Sequence, residues 1–358
     1  MELGKAFHMN GGLGLTGYSH NSSLQRRDRE IVKHVIRRAV VDAFLAVQPA
    51  CLSIADLGCS SGPNALLSTE GLVGAVKDAC RKSSLEPPEF MVFLNDLPSN
   101  DFNSVFVGVP EFIRKAVGGC GASVFMSGVP GSFYRRLFPS NSLHFIHSSY
   151  SLHWLSQAPI SLLDGDGKST NKGRTYLSTA SSFPVQESYL RQFQDDFSLF
   201  LRLRSRELVS GARMALIMLG RRTRDHSDDA ATLLWDLLDE AFAAMVLKGE
   251  VREEEVDSYN AHFYAPSLEE IEVQVEREGS FAIECLELFE GKGTKEDATG
   301  AGTIAMSIRA IQEPLLRQHF REDLIEKLFD VYNKVVEREL TQRDVKSINI
   351  VSVLKKLA

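Results

Sequence analysis

Apolar positions fall into short runs over the first two-thirds of the chain, each bounded by Gly, Pro, Ser or an acid. Such runs occupy residues 52–56, 90–96, 122–126, 143–147 and 215–219. Their length and continuous apolar character are those of strands buried on both faces. Stretches of helical period lie between and before them. Ile31, Val35, Val40, Phe44 and Val47 share one face of a helix predicted over 29–47, which Pro49 ends. Residues 68–82 supply a crossover helix between the first two strands. Strand and helix in alternation predict an α/β fold on a largely parallel sheet.

Elsewhere the pattern changes. The first thirty residues are rich in Gly and polar side chains, too poor in apolar positions for a core strand, and form either an arm or a lid. Residues 162–175 and 290–302 read as polar, Gly-containing loops. Two or three helices over 225–289 break the alternation and are expected to cap the site. Residues 313–340 read as one long amphipathic helix or a pair, with Leu316, Phe320, Leu324, Leu328, Tyr332, Val335 and Val336 along one face. Core packing is the expected role of that face, and a dimer contact the alternative. The chain thus divides into an N-terminal lid and helix (1–48), a cofactor-binding core (49–224), a helical cap returning to the sheet (225–312), and C-terminal helices with a final strand (313–358).

The first apolar run carries the most chemistry, because it leads into Ala55-Asp56-Leu57-Gly58-Cys59-Ser60-Ser61-Gly62-Pro63-Asn64. An acid, a glycine-rich turn and a helix start are how an α/β sheet presents a nucleotide-like cofactor. The glycines let the backbone approach the ligand, and the helix start supplies free N–H groups. Neither G-x-G-x-x-G nor G-x-x-x-x-G-K-[ST] is present. A carboxylate at Asp56 repels a pyrophosphate but suits a cofactor of positive charge. S-adenosylmethionine, with an ammonium, a sulfonium and no phosphate, is such a cofactor. On its own the segment leaves a methyltransferase and another Rossmann-like protein equally open. Asp96, at the end of the second run and followed by Leu97-Pro98, stands where an acid binds ribose hydroxyls. Its plain alternative is the start of a turn.

Composition removes other classes. Hydrophobic content of 44% with 24% charged residues is that of a globular enzyme. A net charge of −7, with no basic stripe interleaved with aromatics, argues against nucleic-acid binding. Five scattered cysteines (Cys51, Cys59, Cys80, Cys120, Cys285) form no C-x-x-C pair, which argues for a reducing compartment and against a zinc site. No apolar run approaches the roughly 18 residues of a membrane span, and no basic-then-apolar leader opens the chain, so a cytoplasmic location is expected.

Seven blocks in unbroken order resemble the plant SABATH methyltransferases. They are His8-Met9-x-Gly11-Gly12 with Tyr18, Asn21-Ser22 and Gln25; the 55–64 turn; Leu94-Asn95-Asp96-Leu97-Pro98 through Asn103; Gly128-Val129-Pro130-Gly131-Ser132-Phe133-Tyr134 through Pro139; His147-Ser148-Ser149-Tyr150-Ser151-Leu152-His153-Trp154-Leu155-Ser156; Leu219-Gly220-Arg221-Arg222; and Glu313-Pro314-Leu315-Leu316. The resemblance implies a Rossmann-like methyltransferase sheet with an inserted helical cap, a homodimer, and methyl transfer from S-adenosylmethionine to a small carboxylic acid. It implies a cofactor site at Tyr18, Ser22, Asp56, Cys59, Asn64, Asp96, Leu97, Ser132, Phe133, Ser148 and Ser149. Asp96 would bind the ribose, Phe133 would pack on adenine, and Ser22 and Asp56 would meet the methionine end. Gln25 and Trp154 would hold the acceptor carboxylate, within a pocket of Tyr150, His153, Leu219, Leu234, Trp235, Tyr264, Ile308, Ile311 and Ile348. In some relatives Mg²⁺ lies at positions matching Asn171, Asp257, Tyr259 and Asn260, oxygen donors of the kind a hard cation takes.

These residue types suit the chemistry. A carboxylic acid with a pKa of about 4 is already ionised at pH 7 and needs no general base. Holding its oxygen in line with the methyl group, at roughly 3 Å, is the main task. A glutamine amide and an indole N–H orient an anion without the tight ion pair an arginine makes. His153 is therefore expected to be a pocket wall and not a base. Salicylate-specific relatives carry methionine where this chain has His153 and Ile308, so salicylate, benzoate, cinnamate and indole-3-acetate stay open. So do a jasmonate- or gibberellin-type acid, a xanthine nitrogen or a thiol, and a non-catalytic binding protein on the same fold. A nicotinamide oxidoreductase is disfavoured by the missing dinucleotide motif.

Overall fold

The computed structural model describes residues 21–117, 122–226, 231–291, 293 and 301–358. A seven-stranded sheet organises the chain, in the order β3-β2-β1-β4-β5-β7-β6. Its strands are β1 (Cys51–Leu57), β2 (Glu89–Asp96), β3 (Val124–Pro130), β4 (Leu143–Ser149), β5 (Leu208–Leu219), β6 (Phe281–Glu290) and β7 (Ile348–Lys356). The first five pair in parallel, whereas β7 runs antiparallel between β5 and β6. Strand order reverses at β1, which pairs with β2 on one side and β4 on the other. That reversal opens a crevice at the carboxyl ends of β1 and β4, where an open α/β sheet binds its ligands.

The helices are α1 (Ser23–Ile31), α2 (Lys33–Val47), α3 (Asn64–Ser83), α4 (Phe102–Phe106), α5 (Val109–Val117), α6 (Phe183–Glu207), α7 (Leu233–Leu247), α8 (Glu253–Asp257), α9 (Leu268–Glu278), α10 (Ala301–Leu316) and α11 (Glu322–Gln342). Two buried apolar clusters lie against the sheet. One gathers α2, α3 and the central strands; the other gathers α6, α7 and α11. Both faces of the sheet are thus covered, which is why its strands read as unbroken apolar runs.

Four expectations change in detail. The helix predicted over 29–47 is two helices, because Val32 leaves helical geometry (φ −101°, ψ 9°). The crossover helix starts at Asn64, directly out of the glycine turn. Residues 281–290, read with the cap helices, form an edge strand; Glu284, Glu287 and Glu290 recur every third residue and imitate a helix face. The preceding helix α9 leads back to that strand and is closed by a capping box in which Ser267 and Glu270 exchange hydrogen bonds. Finally, Glu313 does not begin a helix. Ile304, Ile308 and Ile311 extend the apolar face upstream, so α10 runs from 301 through Pro314, and the expected boundary at 312 falls inside it. The apolar face of α11 is buried within the chain, with Tyr332 Oη donating to the Leu234 carbonyl at 3.2 Å, so it serves core packing.

Candidate active site

The crevice holds a cavity of about 250 Å³, joined to a smaller hollow of about 30 Å³ beside the turn after β1. Gln25, Gly58, Ser60, Ser149 and Tyr150 border both and mark their junction. Several of them sit in unusual backbone. Gly58 has φ 78°, Ser60 φ 55° and Tyr150 φ 60°, conformations that cluster where a fold holds a ligand. Gly58 has a steric reason as well, since a Cβ there would lie 2.0 Å from Ser151 Oγ.

Asp56, Cys59, Asn64 and His147 line the smaller hollow. Asp56 and His147 face each other across β1 and β4, with Oδ1 and Nδ1 2.8 Å apart. Asn64, at the start of α3, donates to Ser22 Oγ at 2.6 Å and accepts from Arg26 Nε at 3.0 Å. These bonds strap α1 over the hollow. Asp96 borders the larger cavity, where its carboxylate accepts from the Ser60 amide at 2.7 Å and from the Leu97 amide at 2.8 Å. Burial, with Asp96 and Asp56 nearby, pushes the Cys59 thiol well up, so it is a neutral wall and no nucleophile.

Ser132 and Phe133 follow β3 and reach the cavity because a clamp holds their loop. Asn95 Nδ2 donates to the Val129 and Gly131 carbonyls at 2.8 and 2.9 Å. From α6, Arg204 donates to the Phe133 and Arg135 carbonyls, both at 2.8 Å, while Glu207 accepts from the Leu137 amide at 2.8 Å. Arg204 and Glu207 are themselves paired at 2.7 Å and wholly buried. Sequence reading missed this pair, for nothing in the linear pattern of α6 marks it.

At the other end the walls are apolar: Leu219, Leu234, Trp235, Ile308, Ile311 and Ile348, with Phe263 added by the structure. Trp154 projects among them, its ring 5.4 Å from those of His153 and Phe263. Its carbonyl accepts from Tyr134 Oη at 2.7 Å, whereas its indole N–H makes no hydrogen bond with the described residues. Gln25 Oε1 is buried and equally without a partner. Two expected pocket residues lie outside the cavity walls. Tyr264 is buried behind Phe263, where its hydroxyl bonds Glu270 and Arg221, a buried ion pair. Ser148 is fully buried under the sheet end and donates to the Leu57 carbonyl at 2.9 Å. Ser22 touches the hollow only through Asn64, and Tyr18 lies outside the described residues.

His153 is a neutral wall. Burial pushes its pKa down to about 3, and Nδ1 accepts the Leu219 amide at 3.2 Å, leaving the proton on Nε2. We expect kcat/KM to show no inflection near the ordinary imidazole value of 6.5. Stability behaves differently. The unfolded imidazole takes up a proton below 6.5, whereas the folded one refuses it down to about 3. The unfolded state is then the better proton binder, so this contribution is complete above that window and is lost as pH falls through it. Melting curves of wild type and His153→Gln across pH 4 to about 7.5 check this: the wild type should lose more on acidification.

The four oxygen residues expected to bind Mg²⁺ surround the 171–176 turn, but they are engaged in folding. Asn171 Nδ2 donates to the Arg174 and Tyr176 carbonyls at 3.3 and 3.2 Å, and Asp257 accepts from the Gly173 amide at 2.6 Å. Tyr259 packs its ring on His319 and Phe320. Only Asn260 Oδ1 is a buried oxygen with no partner. Among the described residues no group of three or more His, Cys, Asp or Glu is arranged to hold a metal. A cation has no support from this set.

A strand-end acid, a glycine turn and a second acid at the next strand, with no phosphate motif, define a Rossmann-like methyltransferase. The family model of SAM-dependent carboxyl methyltransferases matches residues 4–357. The chain belongs to this family, the SABATH methyltransferases. It is 42% identical over 373 residues to a probable jasmonic acid carboxyl methyltransferase of Theobroma cacao, covering 99% of this chain and 100% of that protein. It is 42% identical over 368 residues to a salicylate carboxymethyltransferase of Clarkia breweri, covering 99% of each. Among solved structures it matches loganic acid methyltransferase with SAH at a TM-score of 0.87 and 34% identity, covering 98% of this chain and 99% of that one. No helix among the described residues is long and apolar enough to cross a membrane.

Proposed function

We propose that this chain esterifies the carboxyl group of a small acid with a mostly apolar body, an aromatic acid foremost. The carrying observation is that Gln25, with an amide N–H to donate, and Trp154, whose indole N–H makes no hydrogen bond with the described residues, both line an apolar cavity. Unpaired polar groups in such a place are recognition groups for a ligand. The three relatives reported above are named for acids that bear a carboxyl group, which supports the reading.

The polar and apolar ends of the site divide the labour. Asp56, Asp96, Asn64, Cys59, Leu97, Ser132, Ser149 and Phe133 fit S-adenosylmethionine, because two carboxylates beside a glycine turn favour cationic and hydroxyl groups over phosphate. The buried Ser60 and Ser61 hydroxyls, which have no partners, add polar atoms to the same turn. When bound there, the cofactor supplies an electrophilic methyl group. The chain's own task is to bring an anionic oxygen to the junction, hold it, and exclude water. Gln25 lies at that junction and Trp154 beside it; the apolar walls seat the rest of the acid. His153, held neutral, takes no proton. The 225–312 segment, as cap, is proposed to shield the acceptor. A homodimer, expected from the family resemblance, would use a surface other than the buried face of α11 and is read by sedimentation.

The test is turnover with methyl-labelled S-adenosylmethionine and a panel of salicylate, benzoate, cinnamate, indole-3-acetate and jasmonate, scoring base-labile ester. At least one acid should yield labelled ester. Cofactor binding with no ester from any acid would support a non-catalytic carrier, and label that survives base would point to a nitrogen acceptor.

A further inference from the structure

We propose that Gln312 reads a second polar group on the acceptor, so that the preferred acid bears a hydroxyl group besides its carboxylate. This rests on the carboxyl-methyltransferase reading and narrows its substrate class. Helix α10 presents Ile304, Ser307, Ile308, Ile311 and Gln312 to the cavity, the spacing of one helix face. Three of the five are plain apolar wall. Ser307 is satisfied internally, its hydroxyl donating to the Thr303 carbonyl at 2.9 Å. Gln312 differs from all of them. It is 3% exposed, and its Oε1 is buried and accepts no hydrogen bond from the described residues.

A buried amide oxygen without a partner destabilises the ligand-free chain, and a leucine of similar size would remove that cost. An unsatisfied amide at a cavity wall is a group that waits for the ligand's own polar atom. It cannot serve the carboxylate as well, because that end belongs to Gln25 and Trp154, on α1 and in the segment after β4. The cavity therefore carries a polar group on α10 besides that pair, among isoleucine, leucine and aromatic walls. A ligand that matches has a carboxylate, an apolar body and one further hydroxyl. The unpartnered Oε1 is an acceptor, so a hydroxyl satisfies it and a carbonyl oxygen does not. A site built this way discriminates against the analogue lacking the oxygen, because the analogue leaves the amide unpaired in the complex.

The experiment compares kcat/KM for matched pairs: 4-hydroxycinnamate against cinnamate, and (3-hydroxycyclopentyl)acetate against cyclopentylacetate. Wild type and Gln312→Leu are assayed, with Gln312→Met as a second variant should the first fold poorly. Wild type should favour the oxygenated member of at least one pair by roughly tenfold or more. Both variants should bring that ratio to within about twofold, and ligand-free Gln312→Leu should melt no lower than wild type. The same ratio in variant and wild type, with esters formed, overturns this proposal and leaves the carboxyl reading standing. Should wild type esterify nothing, calorimetric binding of the same pairs to the SAH-loaded protein decides. Tighter binding of the oxygenated acid to wild type alone supports Gln312 while the carboxyl reading falls, and equal binding ends both.

Discussion

Trp154→Phe is expected to lower kcat/KM for the preferred acid by roughly 10²–10³-fold, the effect of removing one preorganised donor from a catalytic site. SAH affinity should stay within about twofold of wild type, because Trp154 projects among the apolar walls and does not border the turn after β1. Phenylalanine keeps most of the ring that packs on His153 and Phe263 at 5.4 Å, so the loss isolates the N–H. Gln25→Leu should behave alike, with a somewhat larger effect on SAH, since Gln25 borders both hollows. The double variant should lose less than the product of the two single losses, because both groups hold one carboxylate. Steady-state kinetics with SAH titration calorimetry reads all of these. Equal loss of SAH binding and turnover in Trp154→Phe would mean that the acceptor end has been placed wrongly.

Arg204→Met is expected to destabilise the chain by about 3–5 kcal/mol, the usual result of stripping one partner from a buried ion pair. The methionine leaves the wholly buried Glu207 carboxylate with only the exposed Arg136 guanidinium, 3.4 Å away, and it frees the Phe133 and Arg135 carbonyls. The loop that carries Ser132 and Phe133 then loses its anchor on α6. Thermal melts should shift down by several degrees, and SAH should bind more weakly even well below the transition. Arg204→Met combined with Glu207→Leu should recover part of the stability, since no buried charge is left alone, but not the SAH affinity, since the loop's carbonyls and amides stay unheld. Recovery of both would show that the pair stabilises the core without positioning the loop.

Particular residues show where sequence reading succeeds. Asp56 and Asp96 were legible because each ends an apolar run, and a parallel sheet puts the ends of neighbouring strands together. Gly58 was legible because a turn that tight excludes a Cβ. Tyr264 was misplaced for an equally physical reason. An aromatic in a cap reads as wall, and only the fold shows its hydroxyl taken by Arg221 and Glu270. His147 escaped notice, since a histidine within a strand gives no sign of what lies opposite until β4 pairs with β1. The strand at 281–290 was hidden by glutamates at every third position, which an exposed strand edge tolerates as readily as a helix surface does.

By itself the sequence determined the alternating α/β plan and the order of the family's blocks, and the resemblance of those blocks implied the class of cofactor. The plan depends on local period and turn chemistry, which neighbours along the chain decide. Tertiary structure alone decided which polar groups are left without partners. Gln25, Gln312 and the Arg204–Glu207 clamp acquire meaning only when segments far apart in sequence enclose them. Hydrogen bonding within the folded chain satisfies most buried polar atoms, so the unsatisfied remainder, where recognition resides, is a property of the assembled cavity and not of any segment.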